Sequence, residues 1–122
     1  MSVATGGCSC GAIRFAAAGD PLRVGVCHCL DCRKHHGTPF YAAAIFASTA
    51  VTLEGTPRFH EGRAFCPRCG SSVYAVSGEE IELHLGAMDE PGRFKPQYEL
   101  WTTRREPWLR PIEGAEQFDK DR

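Results

Sequence analysis

The chain has 122 residues, enough for one domain with a thin core. Hydrophobic residues make up 43% and charged residues 24%, a balance that excludes a disordered or collagen-like chain. A net charge of −1 gives no support to a nucleic-acid binder that works by neutralising phosphates. No apolar run approaches the roughly 18 residues of a membrane span. The seven cysteines are what needs explaining.

In chain order, the opening MSVATGGCSC lacks the basic and apolar regions of a secretory signal. The expected compartment is therefore the reducing cytoplasm, where clustered cysteines bind metal. Residues 12–17, AIRFAA, place Ile13 and Phe15 on one face of a strand. PLRVGV (21–26) and the longer FYAAAIFA (40–47) are predicted strands. Between them LDCRKHHG (30–37) is the one predicted helix, a short one stopped by Gly37. AVTLEG (50–55) and PRFHEG (57–62) read as the arms of a hairpin turning near Gly55 and Pro57. SSVYAVS (71–77) and EEIELHLG (79–86) are further strands, with Val73 and Val76 partly buried and Ile81, Leu83 and Leu85 alternating inward. YELWTT (98–103) is a last strand, and REPWLRP (105–111) a packed, proline-bounded segment. The domain is expected to span residues 1–113, leaving 114–122 as a polar tail that frays unless Phe118 docks it. No long helices alternate with these strands, which argues against a parallel βαβ fold.

The cysteines fall into three groups, Cys8/Cys10, Cys27/Cys29/Cys32 and Cys66/Cys69, each in a turn between strand-like segments. CPRCG, residues 66–70, has the form of a zinc knuckle, in which Cys-x2-Cys lets two thiolates face one ion and glycine permits the tight turn. A structural zinc takes four ligands, usually as two short-range pairs brought together from distant sequence, and Cys8/Cys10 with Cys66/Cys69 supply such a set. Cys27, Cys29 and Cys32 remain. Three protein ligands and an open fourth position are the pattern of a catalytic zinc. The same spacing also suits a site closed by His35 or His36, and on spacing alone the two readings stand level. His28 is expected to point away from the metal, at the surface or behind the ligands. His60 and His84 read as ordinary structural histidines. The pairs Arg33-Lys34 and Arg104-Arg105 read as solvated surface.

The succession GGCSCGAIRF, CHCLDCRKHHG, FCPRCGSSVY, GAMDEPGRFKP and LWTTRREPWL resembles the glutathione-dependent formaldehyde-activating enzyme family, whose zinc domain is shared by centromere-protein-V-like proteins. The similarity covers residues 6 to 110 and all seven cysteines. It implies a mainly β fold, the β-tent, with small coiled antiparallel sheets organised around zinc and one short helix after the Cys-x-Cys-x2-Cys turn. It also implies two zinc ions: a structural one on Cys8, Cys10, Cys66 and Cys69, and an active-site one on Cys27, Cys29 and Cys32. The implied activity is a carbon–sulfur lyase type, the formation or breakdown of S-hydroxymethylglutathione or a related thiol–aldehyde adduct. The implied partner is a small thiol or aldehyde such as glutathione, with neither nucleic acid nor membrane. Arg33 and Lys34, or else Arg14 or Arg68, are candidates for the glutathione carboxylates. Many relatives carry histidine before the tryptophan of the P..HIW-like segment, where this chain has Glu99 in PQYELW. The alternative from another class is a zinc-stabilised binding module without chemistry.

Overall fold

The structure is a computed structural model describing residues 2–122. Its elements are β1 (Val3–Gly7), β2 (Arg14–Ala18), β3 (Arg23–Cys27), α1 (Leu30–His36), β4 (Tyr41–Ala47), β5 (Val51–Glu54), β6 (Arg58–His60), β7 (Arg63–Phe65), β8 (Ser72–Ser77), β9 (Glu80–His84), β10 (Tyr98–Leu100) and β11 (Glu116–Gln117). The chain is mainly β, and among the described residues it has one α-helix, which starts at Leu30 straight after Cys29 and carries Cys32 in its first turn. Among the described residues, no helix is long and apolar enough to cross a membrane.

One sheet has three strands in the order β1-β2-β5, and the other has eight in the order β11-β10-β3-β4-β9-β8-β7-β6. Pairing is antiparallel except at β10, which runs parallel to both β3 and β11. The sheets meet over a core of Ile13, Phe15, Val24, Phe46, Val73, Ile81 and Leu83, with Cys8 and Cys66 at its edge. β9 alternates as its sequence does, burying Ile81 and Leu83 and turning Glu80 and Glu82 to the other face. β4 is flanked on both edges and buries Ala43 to Phe46 without alternation, which suits an inner strand covered on both faces.

Four expectations are corrected. β5 and β6 do not form a hairpin. Leu53 and Val51 of β5 face Phe15 and Ala17 of β2, while β6 turns back into β7 through Glu61-Gly62. Both turn residues have positive φ, 50° and 80°, as a two-residue type I′ turn requires. Val76 is exposed although Val73 is fully buried, because β8 buries only Val73 and Tyr74 and its last residues, Val76 and Ser77, run out of the core. β1 was not anticipated, since its two glycines mask a strand pattern. Gly6 is required there: a Cβ would lie 2.4 Å from the Phe15 ring and 2.3 Å from the Ala87 carbonyl. Finally, the C-terminal tail is tied down rather than frayed. Glu116 N–H donates to the Gln97 carbonyl at 2.9 Å, Phe118 N–H to Glu99 at 2.9 Å, and Trp101 N–H to Lys120 at 3.0 Å.

Asp89 holds the small sheet against the loop that follows β9. It accepts from both terminal nitrogens of Arg14 and from the Thr5 hydroxyl, while its own N–H donates to the Thr5 carbonyl. The Arg14 guanidinium, then Thr5, pull its carboxyl down to about 2. A depressed folded-state pKa adds stability above the unfolded value of about 3.9, lost as pH falls through the folded value. The expected result is an Asp89 side-chain carboxyl titrating by NMR near 2 in the wild type and close to the ordinary carboxylate value in Arg14→Met. The pair is exposed, so its effect on melting temperature is small.

Candidate metal centres and cleft

Two turns assemble the first sulfur cluster. After β1 the chain reverses with Cys8 N–H donating to the Ile13 carbonyl at 3.0 Å, and Ile13 N–H returns to Cys8 Sγ at 3.1 Å. In the 66–70 knuckle, Gly70 N–H closes onto the Cys66 carbonyl at 2.8 Å and Cys66 N–H onto the Ser71 carbonyl at 2.9 Å. Ser9 N–H reaches the Ser71 hydroxyl at 3.0 Å and clips the two turns together. Cys8 and Cys10 then stand 3.6 Å apart, and Cys10 and Cys66 3.7 Å. A tetrahedron with zinc–sulfur arms of about 2.3 Å has edges of about 3.8 Å, so these separations fit one ion. A disulfide would need about 2.05 Å, and all seven cysteines are free thiols. Hydrogen bonding from the Ser71 hydroxyl and N–H brings the Cys69 thiol down to about 5. At Cys10 the Ala12 backbone bond is outweighed by burial and the neighbouring sulfurs, which push the thiol up to about 11, so the four thiols share few negative charges without an ion.

The second cluster is local. Cys27 ends β3, and His28 N–H anchors the turn on the Leu100 carbonyl of β10 at 3.0 Å. Cys29 is the N-cap of α1 and accepts from Cys32 N–H at 3.3 Å, and Gly37 closes the helix in the left-handed region. Cys27, Cys29 and Cys32 bring their sulfurs within 4.8 Å of one another, as do the four sulfurs of the first cluster. Either set could hold a metal ion, and an all-sulfur set suits zinc. Hydrogen bonding from Cys27, helped by Cys29 and Arg63 against the cost of burial, brings the Cys32 thiol down to about 6.

The second cluster opens into a cleft of about 340 Å³, a volume at the lower end for small-molecule sites. Sheet register supplies its walls. Tyr41 is the cross-strand partner of Cys27, and His84 lies across from Ala43 on the next strand. His36 stacks on Tyr41 with centroids 4.5 Å apart and meets the His84 ring edge-on at 4.5 Å. Tyr41 donates its hydroxyl proton to Glu82, and Ser72 pairs with His84 Nδ1 at 3.2 Å. Burial, then His35, hold His36 down to about 4; burial, then His36, hold His84 down to about 3. Both imidazoles are therefore neutral at pH 7. Arg63, on β7, is the cation of the cleft and is paired to Glu61 at 3.4 Å. Leu100, Trp101 and Asp121 complete the lining together with Glu61 and residues 75–77 of β8.

Neither His35 nor His36 belongs to the three-sulfur group. His84, expected to be structural, lies on the cleft wall, and His60 is exposed on the β6–β7 hairpin. Arg33 and Lys34 lie on another face, beside Leu30 and Pro39, where Arg33 donates to the Arg104 carbonyl and to Glu106, each at 3.0 Å. Arg14 is committed to Asp89, and Arg68 is exposed on the zinc knuckle. Reading the sequence missed Arg63, Tyr41, Glu82, Trp101 and Asp121, since no local motif marks them.

His28 is buried, not at the surface, and its Nε2 lies 2.8 Å from Glu99 Oε1. Glu99 therefore sits behind the cysteine turn and not in the cleft. Its other oxygen accepts from Ile112 N–H and Gln117 Nε2, each at 2.8 Å, with Arg105 at 3.4 Å. Burial raises its pKa, but His28, Ile112, Gln117 and Arg105 outweigh this and hold the carboxyl below its ordinary value.

The fold and the two sulfur clusters define a small, mainly β, cysteine-rich domain whose clusters could each hold a metal ion. The sequence model of the glutathione-dependent formaldehyde-activating enzyme family matches residues 3–104, and the chain belongs to that family. A Rhodobacter sphaeroides protein of known crystal structure shares the fold, with a TM-score of 0.57 and 19% identity over 73% of this chain and 91% of that one.

Proposed function

We propose that the chain binds two zinc ions and acts on small thiol–aldehyde adducts, joining glutathione to formaldehyde or a related pair in a carbon–sulfur lyase-type reaction. Cys8, Cys10, Cys66 and Cys69 hold the structural ion, and Cys27, Cys29 and Cys32 hold the second. The observation that carries this reading is that the three-sulfur group opens onto the cleft and, among the described residues, includes no fourth ligating atom. Family membership supports the thiol and the aldehyde.

A zinc ion bound there supplies a position where a thiol binds as thiolate, or where a carbonyl oxygen is polarised. In the addition the sulfur forms a bond to the carbonyl carbon, the π electrons move to oxygen, and the thiol proton ends on that oxygen. The chain's residues orient the pair and handle the proton. Arg63, beside Cys32, offsets the charge of three thiolates. Tyr41 lines the cleft and is fixed by Glu82, so its hydroxyl oxygen is held ready for the adduct's hydroxyl.

Cobalt in place of zinc makes the open position visible, because thiolate-to-cobalt charge transfer intensifies with each added sulfur. Titrating glutathione should raise the band saturably, and Cys29→Ser should abolish the rise. A spectrum indifferent to glutathione, other small thiols and small aldehydes would overturn the catalytic reading and leave the binding module.

A further inference from the structure

The family match ends at residue 104, yet the chain beyond it builds part of the cleft. β11 adds to the edge of β10, and the strap continues alongside residues 101–103. Thr102 N–H donates to the Phe118 carbonyl at 3.1 Å, and the Thr103 hydroxyl to that of Asp119 at 3.1 Å. The strap meets the cleft at Trp101. This residue has φ 54° and ψ 45°, a left-handed conformation costly for a bulky side chain, which persists only where its surroundings impose it. The strap does so at two points: Trp101 N–H donates to the Lys120 carbonyl at 3.0 Å, and the indole Nε1 to Asp121 Oδ1 at 2.9 Å. Lys120 carries its ammonium 6.0 Å from the ring centroid.

We propose that the C-terminal strap is a specificity element of the cleft, in which Asp121 positions the Trp101 indole against the part of a thiol substrate that extends beyond its sulfur. The inference rests on the open position of the second cluster. A thiol whose sulfur sits at Cys27, Cys29 and Cys32 leads the rest of its length along the cleft lining, to which Leu100, Trp101 and Asp121 belong together with Glu61, Val76 and Ser77. A thiol with only two carbons ends before the indole. A tripeptide thiol lays peptide and methylene surface on it, and contact of this kind with an aromatic face is worth roughly 1 kcal/mol, a factor of about five.

The test compares glutathione with 2-mercaptoethanol on the cobalt-substituted full chain, read by the charge-transfer band. Asp121→Ala and Trp101→Ala should each weaken glutathione about fivefold or more while leaving 2-mercaptoethanol within twofold of wild type. Asp121→Asn, whose amide oxygen still accepts the indole proton, should restore the glutathione affinity. Equal losses for both thiols would mean that the strap only supports the fold, and no loss for either would mean that the indole touches nothing. Either result overturns this inference and spares the open site. No response of wild-type protein to either thiol overturns the open site and this inference with it.

Discussion

Cys66→Ser is expected to leave a chain that does not fold, whereas Cys29→Ser folds and loses metal from the second cluster alone. Cys66 is fully buried at the edge of the core, and its cluster joins two turns 56 residues apart in sequence. Structural zinc contributes folding free energy on the order of 10 kcal/mol in small domains. A domain's whole stability is about 5–15 kcal/mol, so losing that site consumes most of it. Cys29 stands differently. Its cluster closes within six residues of one turn, whose backbone is already held by the His28–Leu100 bond and by the helix. Serine is itself a favoured N-cap, so α1 keeps its first turn. Circular dichroism on heating and zinc content by mass spectrometry separate the two variants: Cys29→Ser should melt cooperatively with one zinc per chain. Equal melting temperatures would remove the division of the cysteines into four and three.

Glu99→Ala is expected to destabilise the domain by about 3–5 kcal/mol, the range for stripping one partner from a buried charged network. Glu99 is 2% exposed and collects His28, Ile112 N–H, Gln117 and Arg105. Alanine takes an acceptor from all four and strips the buried His28 of its partner, while Gln117 keeps the Ala115 carbonyl and Arg105 keeps Gln117. The damage should spread in two directions, because His28 lies inside the cysteine turn while Ile112 and Gln117 belong to the C-terminal segment. Glu99→Gln keeps the size and an acceptor oxygen, so it should cost less than Glu99→Ala. Urea unfolding with an unchanged slope measures both. A loss below about 1 kcal/mol in Glu99→Ala would show that the network contributes little. This chain thus has a carboxylate facing the histidine of its own cysteine turn, behind the three sulfurs and not within the cleft.

The three cysteine groups were legible because their members stand two or three residues apart, and such short runs have few backbone conformations that converge on one point. The helix was legible for the same local reason: Gly37, which the structure places in the left-handed region, stops it within one short segment. The cleft walls were not. Tyr41, Arg63, Glu82 and His84 sit on three strands, and no spacing in the chain relates them until the register pairs Cys27 with Tyr41 and Ala43 with His84. The hairpin assigned to residues 50–62 failed on the same ground, because the partner of a strand is chosen by the core it buries and not by its neighbour in sequence. Polar composition suggested a loose end at residues 114–122, yet backbone groups of β10 and Trp101 needed partners and found them there. Which cysteines stand close enough to share an ion follows largely from residue identity and short spacing. Which side chains surround the metal site, and what the last residues do, follow from long-range hydrogen-bond pairing, which only the folded chain decides.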